Sequence, residues 1–256
     1  MSPRMETEEA RELLVLISGW FLSSVLAAYT GKTLLHQLTS AVQLSVIQSL
    51  FSAVVGVCVM LAWQKRVSVL SPRDIATKIA PLALFQSSYS VNYNVAMRHV
   101  PVSYLNTVKT SIPIYTCVLC RLYFSPDRKF SLLTYVSLAV LLGGIVMASL
   151  YEPNFAWLGL FFASFSALSQ SLFNLATKKL MSQAKHGYQK LTQVSLNATE
   201  ELDQISLLFY NSCVSLVFMV PLLVLVPLPS AAPSVSLLLL TGGTYYAETL
   251  FTYLLL

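Results

Sequence analysis

Eight long apolar stretches, separated by short polar segments, constrain this chain more than any other feature of its sequence. They are Leu13–Tyr29, Ser40–Trp63, Ile75–Met97, Val100–Phe124, Ser131–Leu150, Phe155–Leu180, Ile205–Val226 and Val235–Leu256. A helix needs about 20 mostly apolar residues to cross the hydrocarbon core of a bilayer, and each stretch is close to that length. A helix also satisfies its own backbone polar groups there. We therefore predict an all-α integral membrane protein, built as a polytopic helix bundle.

The composition supports the same conclusion. Of the 256 residues, 55% are hydrophobic and only 11% are charged, and the mean hydropathy is +0.67. A soluble domain carries about 25% charged residues, so this chain has too little charge to cover a water-soluble surface of its size. The same figures exclude a disordered chain, a coiled coil and a disulfide-rich secreted scaffold.

Positive charges are distributed unevenly between the segments that connect the apolar stretches. The net charge is +5, and in a membrane protein an excess of Lys and Arg marks cytosolic loops rather than nucleic-acid binding. With a cytosolic N-terminus, 13 of the 16 Lys and Arg residues fall on the cytosolic side, against Lys32 and Arg98 on the other and Lys109 inside a span. This split predicts a cytosolic N-terminus, a lipid bilayer as partner and no nucleic-acid partner.

Two polar segments lie on the predicted cytosolic side. Residues 1–12 form a cytosolic leader rich in glutamate, whereas secretory and organellar targeting peptides are positively charged or poor in acidic residues. We therefore expect a retained signal-anchor. Residues 181–204 form the one sizeable predicted loop, which is polar and cytosolic.

Lys109 is the most informative single residue because it lies midway along the fourth stretch. A charged group inside a bilayer costs at least about 2.5–3.5 kcal/mol and usually lines a polar cavity. Asn106, Lys109 and Pro113 share one helical face. Ser103 and Thr110 flank that face. One interpretation is a cation that binds an anionic substrate group; the alternative is a lysine that snorkels to an interface or pairs with a structural carboxylate. About ten residues separate it from either end of the stretch, which favours the first interpretation.

The sixth stretch carries two stripes with a period of four residues. Small residues form the first stripe, which is typical of helix packing in membranes: Gly159, Ala163, Ala167 and Ser171. Polar residues form the second stripe: Ser166, Gln170, Asn174 and Lys178. The polar stripe either lines a cavity or forms hydrogen bonds between helices, and the sequence leaves both interpretations open.

Two further polar features lie within predicted spans. In the third stretch, a dense polar run between Gln86 and Asn94 covers several helical faces, which a lipid-exposed helix would not tolerate. The run predicts a solvated or protein-lined interior. Glu248, in the last stretch, is a second intramembrane charge. It either pairs with Lys109, responds to protons, or lies in a frayed terminal helix.

The sequence contains no catalytic or metal-binding constellation. The histidines His36, His99 and His186 are scattered at span ends and in loops. Cys117 and Cys120 lie in an apolar stretch with no histidine or second cysteine pair nearby, which favours a packing role. We therefore predict no enzymatic activity, no catalytic residue, no cofactor and no metal site.

An ordered set of motifs lies between Val100 and Lys179. The run Pro101-Val-Ser-Tyr-Leu-Asn-Thr-Val-Lys-Thr-Ser-Ile-Pro113 is followed by Ser131-Leu-Leu-Thr-Tyr-Val-Ser-Leu, Gly143-Gly144, Ala148-Ser149, Gly159 and Asn174-Leu-Ala-Thr-Lys178-Lys179. In this order the motifs resemble the sugar-phosphate (triose-phosphate) translocator domain of the drug/metabolite transporter superfamily. That family carries V-S-(F/Y)-x-x-T-(V/I)-K-A-x-x-P in its fourth span. The strongest likeness is to the E branch of solute carrier family 35, which is related to nucleotide-sugar transporters.

The resemblance implies a bundle of two inverted five-helix repeats, about ten helices in all, that works as an antiporter by alternating access. About eight of those helices would be present, with the first repeat in residues 13–150 and three helices of the second in residues 151–256. The implied substrates are phosphorylated sugars or nucleotide sugars, exchanged for a second anion across the Golgi or endoplasmic-reticulum membrane. A homodimer is a further expectation.

The resemblance also implies a substrate site. The lysine that binds substrate phosphate in plastid members aligns with Lys109, and the family's first-span lysine aligns with Lys32. The candidate substrate-binding residues are Lys109, Asn106, Thr110, Ser103, Lys32, Asn94, Gln170 and Asn174.

Three departures from the family pattern bear on these expectations. Ser90 stands where plastid members have a histidine, and Gly31 stands where the family has an asparagine. The printed chain also ends after the eighth stretch, before the ninth-span Lys-Arg pair that completes the family's phosphate clamp. The alternative hypothesis is therefore a truncated membrane protein without transport activity.

The sequon Asn197-Ala-Thr199 tests the predicted topology. It lies in the cytosolic loop, where it does not meet the lumenal glycosylation machinery. We expect that endoglycosidase treatment leaves the electrophoretic mobility of the full-length protein unchanged, and that Asn197→Gln migrates like the wild type. A glycosidase-sensitive band that is lost in Asn197→Gln would contradict the topology.

Overall fold

Every element in the described part of the chain is helical. The computed structural model describes residues 3–62, 72–124, 130–191, 204–226 and 233–255. The helices are α1 (Pro3–Leu35), α2 (Ala41–Ala62), α3 (Ala80–His99), α4 (Val102–Lys109), α5 (Ile112–Leu119), α6 (Leu132–Leu150), α7 (Trp157–Leu191), α8 (Gln204–Val224) and α9 (Val235–Leu255). A helical turn (Pro72–Asp74) and a π-helical segment (Ile75–Ile79) precede α3, and a second π-helical segment (Cys120–Phe124) follows α5. The predicted all-α, polytopic helix bundle is confirmed.

Five helices in the described ranges are long and apolar enough to cross a membrane by length and composition alone. They are Arg11–Leu35, Ala41–Val59, Leu132–Leu150, Trp157–Met181 and Ile205–Val224. The other three predicted spans correspond to α3, to the interrupted pair α4–α5, and to α9. These three are not long and apolar enough by that measure, because polar side chains or a helix break interrupt them. A bilayer tolerates such interruptions only where protein or a cavity covers the polar groups.

Two helices extend beyond the apolar stretches that predict them. The first helix begins at Pro3, so the described part of the predicted leader is helical. The seventh helix continues to Leu191, into the segment predicted as a loop from residue 181. Met, Gln, Ala and Lys in that segment have high helix propensity, and extending an existing helix avoids the cost of nucleation. Asn197 lies outside the described residues.

Helices α1 and α9 pack side by side through polar contacts. The Ser24 hydroxyl donates to Glu248 Oε1 at 2.9 Å, and the hydroxyls of Thr30 and Thr244 lie 3.3 Å apart. Residue numbers rise along α1 as they fall along α9, so the pair is antiparallel. The eighth predicted span is therefore held against the first by side-chain hydrogen bonds.

Helices α3 and α7 form a second antiparallel pair. The hydroxyls of Ser88 and Ser169 lie 3.2 Å apart, and the Ser166 hydroxyl donates to the backbone carbonyl of Tyr89 at 2.9 Å. These bonds lie in the interior of the bundle, where each polar group needs a partner. The third and sixth predicted spans are joined in the same way as the first and eighth.

The small-residue stripe of α7 brings neighbouring helices close. A methyl group placed on Gly159 would lie 2.5 Å from Cγ1 of Val100, so no larger side chain fits there without movement. The remaining members of the stripe are all buried: Ala163, Ala167 and Ser171. Its predicted packing role is confirmed.

The two antiparallel pairs are arranged like the halves of an inverted repeat. In two five-helix repeats, the first span corresponds to the sixth and the third span to the eighth. The pair formed by the first and eighth spans (α1 and α9) therefore corresponds to the pair formed by the sixth and third spans (α7 and α3). Helices α2 and α8 pack against each other, α8 also packs against α3, and α2 also packs against α9. This arrangement is the one expected for the predicted repeats. The boundary at residue 150 and the homodimer stay predictions.

Two adjacent glycines of α9 test this packing. A methyl group on Gly242 would overlap the ring of Phe51 in α2, whereas one on Gly243 would meet no described atom within 4 Å. We expect Gly242→Ala to lower the free energy of unfolding by about 1–3 kcal/mol through overpacking. The matched control Gly243→Ala should leave it unchanged or raise it by up to about 1 kcal/mol through helix propensity. Thermal unfolding of the purified protein in detergent measures both; equal effects would contradict the packing of α9 on α2.

Candidate substrate site

The fourth predicted span is broken beside Lys109. Helix α4 ends at Lys109, α5 begins at Ile112, and Thr110 and Ser111 form a turn with hydrogen bonds to carbonyls three residues back. Pro113 has no N–H, so it cannot donate to the carbonyl of Lys109 as a helical residue would. The lysine therefore lies at the C-terminal end of a half-helix, where the helix dipole favours a positive charge.

The ammonium group of Lys109 has two partners in the bundle interior. Its Nζ lies 3.8 Å from Oε1 of Glu248 on α9, and the two side chains are only 19% and 17% exposed. The same Nζ lies 4.3 Å from the ring centroid of Tyr93 on α3, a cation–π contact. Three separate helices thus meet at the charge of Lys109. Of the three interpretations of Glu248, the structure supports pairing with Lys109.

The carboxylate of Glu248 is held on its other side by α1. The Ser24 hydroxyl donates to the same oxygen, Oε1, that faces Lys109. One helical turn further along the same helix pair, Nε1 of Trp20 donates to the Thr252 hydroxyl at 3.1 Å. These contacts orient Glu248 toward the interior of the bundle, so it does not lie in a frayed end.

A narrow cavity surrounds the ion pair. Its described lining consists of Ala27, Ala28, Gln48, Tyr89, Ser90, Tyr93, Lys109, Gln170, Phe173, Tyr245, Glu248, Thr249 and Thr252. These residues belong to α1, α2, α3, α4, α7 and α9, and Lys109 is the last residue of α4. The cavity has room for only about one or two water molecules. It lies at the contact between the two antiparallel pairs.

Oε1 of Gln170, in this lining, has no hydrogen-bond partner among the described residues. Burying a polar group without a partner costs free energy, so such an atom usually contacts water or a ligand. The Tyr245 hydroxyl interacts with those of Tyr89 and Ser90 in the same lining. The cavity therefore places several polar groups near a cation.

The structure brings some of the predicted site residues together. Lys109 and Gln170 line the cavity directly. Asn106 does not line the cavity but contacts a residue that does: its Oδ1 accepts a hydrogen bond from the Tyr93 hydroxyl at 3.2 Å. Asn94 also contacts a lining residue from outside the cavity, since its Nδ2 donates to Gln48 Oε1 at 3.0 Å.

Four other predicted site residues lie outside the cavity lining. Ser103 and Thr110 are exposed on the outer side of α4 and the following turn. Lys32 donates to the backbone carbonyls of Met97 and Val100, so it caps the end of α3. The Oδ1 atom of Asn174 is buried on α7 without a partner among the described residues, one turn beyond the lining residue Gln170.

The break after Lys109 separates Pro113 from the rest of the predicted face. Asn106 and Lys109 both belong to α4, whereas Pro113 lies in α5, beyond the turn. Thr110, in that turn, is exposed. Its hydroxyl donates to the Thr107 carbonyl on the same segment at 2.6 Å.

Both open interpretations of the α7 polar stripe hold, each for a different residue. Ser166 forms the interhelical hydrogen bond to Tyr89, and Gln170 lines the cavity. The polar run of α3 faces protein, as predicted: Gln86 is fully buried and Asn94 is 1% exposed.

Sequence reasoning missed two residues that contact the ion pair, Tyr93 and Ser24. The polar run on α3 contained Tyr93, but nothing indicated which of its residues would face Lys109. A signal for the α1 contact was present in Thr244, Glu248 and Thr252, which recur every four residues on one face of α9. Such a polar stripe requires a polar partner helix in a membrane.

Comparison with known proteins identifies a family over nearly the whole chain and relatives over parts of it. The sequence profile of the Triose-phosphate Transporter family matches residues 11–255. Over 175 residues the chain is 30% identical to a chloroplastic phosphoenolpyruvate/phosphate translocator 3 of Oryza sativa subsp. japonica, covering 68% of this chain and 43% of that protein. Over 124 residues it is 31% identical to UDP-galactose transporter 1 of Arabidopsis thaliana, covering 48% of this chain and 35% of that protein. The alignments thus span less than half the length of either curated relative.

A solved crystal structure shows a similar fold. It superposes with a TM-score of 0.58 at 15% sequence identity, over 93% of this chain and 79% of its own chain. At this sequence identity, the likeness concerns the arrangement of the helices, that is, the fold alone.

The ion pair itself can be tested by a double-mutant cycle. Removing one partner leaves the other charge uncompensated in the interior, so we expect Lys109→Gln and Glu248→Gln each to unfold more easily than the double variant, by about 1–3 kcal/mol. The control cycle uses Lys78 and Asp74, whose ion pair measures 2.8 Å but whose side chains are 53% and 42% exposed. There we expect coupling below about 0.5 kcal/mol. Chemical or thermal unfolding in detergent measures both cycles, and equal coupling would contradict a buried pair.

Proposed function

This chain belongs to the triose-phosphate transporter family, and from that membership we propose that it transports phosphorylated sugars or nucleotide sugars across a membrane. The proposed mechanism is antiport by alternating access, in which one anion is exchanged for another. Membership in a family of transporters supports transport as the class of activity. The substrate, the exchange and the residues that bind the substrate are our proposal.

One observation carries this proposal: Lys109 lies at a helix break inside the bundle, in a cavity also lined by Gln170, whose Oε1 has no partner among the described residues. An ionisable residue within a membrane span is costly and is usually retained for function. Transporters commonly place their substrate sites at discontinuous helices near the midplane, between two repeats. The ammonium group and a phosphate would form a charge-assisted hydrogen bond in a low-dielectric cavity.

We assign different roles to the candidate residues. Lys109 would bind the substrate phosphate, and Gln170, Ser90 and Tyr245, which line the same cavity, would bind the remaining phosphate or sugar oxygens. Asn106 would act indirectly, because its carbonyl orients the Tyr93 hydroxyl and thereby the ring beneath the lysine.

The narrow cavity supports alternating access. A sugar phosphate is far larger than the space available, so the surrounding helices must separate to admit it. The cavity lies where the pair α1 and α9 meets the pair α3 and α7. Rocking of one pair against the other would open the cavity to one side of the membrane at a time.

The compartment and orientation are also proposals. We propose a Golgi or endoplasmic-reticulum location with the N-terminus in the cytosol. The distribution of 13 Lys and Arg residues on one side against two on the other supports the orientation. Similarity to a UDP-galactose transporter supports a nucleotide sugar as one candidate substrate, and similarity to a phosphoenolpyruvate/phosphate translocator supports a phosphorylated one.

The proposed role of Lys109 predicts loss of transport when its charge is removed. In proteoliposomes that contain the full-length protein, we expect Lys109→Ala to reduce exchange of a panel of sugar phosphates and nucleotide sugars by at least about 100-fold. The control Lys78→Ala removes an exposed lysine at the entrance to α3 and should exchange at the wild-type rate.

Two results would count against the proposal. Unchanged exchange by Lys109→Ala would remove this lysine from the mechanism. Exchange of neutral compounds in preference to phosphorylated ones would contradict the anionic substrate class. The same assay on residues 1–256 alone tests the alternative, in which this stretch of chain does not transport.

A further inference from the structure

The described lining of the cavity carries no net charge. Lys109 supplies one positive charge, Glu248 supplies one negative charge, and the other described lining residues are neutral. The two charges are partners at 3.8 Å and are both more than four-fifths buried. The site therefore already holds an anionic group where the proposed substrate phosphate would bind.

That arrangement poses an electrostatic problem for an anionic substrate. A phosphate placed against Nζ of Lys109 would lie within a few ångströms of the Glu248 carboxylate. Like charges at such separations repel strongly in a medium of low dielectric constant. The carboxylate must lose its charge or leave the cavity before a second anion can occupy the site.

We propose that Glu248 is a resident counter-ion that the substrate replaces, and that it takes up one proton when the anion binds. This inference rests on the proposed function, since it concerns the same site. In the empty cavity Glu248 neutralises Lys109. When an anion arrives, the anion neutralises Lys109 and a proton neutralises Glu248.

The geometry allows Glu248 to hold that proton in place. Once the helices separate and the cavity opens to one side of the membrane, the carboxylate takes the proton from water on that side and becomes a neutral acid, without a redox change. Its Oε1 now accepts a hydrogen bond from the Ser24 hydroxyl. As an acid it can instead donate to Ser24, which accepts equally well as a hydroxyl. The bond to α1 is kept while the bond to Lys109 is released.

The groups that face Glu248 leave few other sources for a pH response. From α4 it faces Lys109, and from α1 it faces the neutral Ser24. The tyrosines of the lining, which are neutral near pH 7, come from α3 and from α9 itself: Tyr89, Tyr93 and Tyr245. The lining residue from α2 is Gln48 and the nearest polar one from α7 is Gln170, both uncharged. Among the described lining residues, Glu248 is therefore the one carboxylate that an anion beside Lys109 would face.

Inorganic sulfate is a suitable probe because it resembles phosphate but stays doubly charged across the relevant pH range. Binding to the full-length protein in detergent is measured by the shift in unfolding temperature at about pH 6 and about pH 8. For the wild type we expect affinity to fall at least about tenfold between these values, because binding takes up a proton. For Glu248→Gln we expect tight binding with no pH dependence, and Lys109→Gln should not bind.

Glu152→Gln is the matched control for this experiment. It removes a carboxylate from the connection between α6 and α7, outside the cavity, where Glu152 accepts a hydrogen bond from the backbone N–H of Asn154. It should keep the wild-type affinity and pH dependence. If Glu248→Gln does not fold, proton uptake by the wild type on adding sulfate tests the same point; a pH dye in weak buffer should report about one proton per sulfate bound.

The possible results separate this inference from the function on which it rests. If the wild type and Glu248→Gln bind sulfate with the same pH dependence, or if no proton is taken up, the role of Glu248 is wrong while the anion site stands. If neither protein binds sulfate or any sugar phosphate at either pH, the anion site fails, and this inference fails with it.

Discussion

A lysine in the interior of a membrane-spanning bundle must be neutralised, and the structure is organised around that requirement. A charge in hydrocarbon is costly unless it has partners or water. The positive charge of Lys109 meets a carboxylate from α9 and an aromatic ring from α3. The carboxylate is in turn held by α1. Four helices, from both ends and the middle of the chain, thus converge on one ammonium group.

The same requirement accounts for the helices that are too polar to cross a bilayer alone. Helices α3, α4 with α5, and α9 carry the groups that approach Lys109, so polar side chains interrupt their apolar faces. The more apolar helices surround and support them: α1 and α7 pack along α9 and α3, and α2 with α8 completes the bundle. Each polar helix is stabilised in the membrane by contacts with partner helices rather than with lipid. This is expected where the polar groups of backbone and side chains must form their hydrogen bonds inside the protein.

The sequence predicted more of the fold than of the site. Helix existence followed from apolar length and charge alternation, which depend on local composition alone. The special status of Lys109 was predictable because a mid-span charge is costly wherever it lies. Pairing with Glu248 was one of three open interpretations, whereas the contact of Lys109 with Tyr93 was not predictable, since it depends on how helices rotate against one another. The same holds for Ser103 and Thr110: a helical wheel placed them at the flanks of the Lys109 face, and the structure places both outside the cavity. Lys32, aligned with the family's first-span lysine, is similarly used to cap α3.

An internal counter-ion changes what the proposed carrier can do when empty. A cavity with an unpaired lysine resists closing until an anion neutralises it, because closure would transfer a bare charge into a dry interior. That barrier enforces strict exchange. With Glu248 beside Lys109, the empty cavity is neutral, so closure without substrate costs less. Anion and proton then enter a loaded cavity together, and the cavity closes with Glu248 neutral and Lys109 paired with the substrate. Under this proposal Glu248 shifts the balance from obligatory exchange toward movement of an anion together with a proton, through one carboxylate on α9.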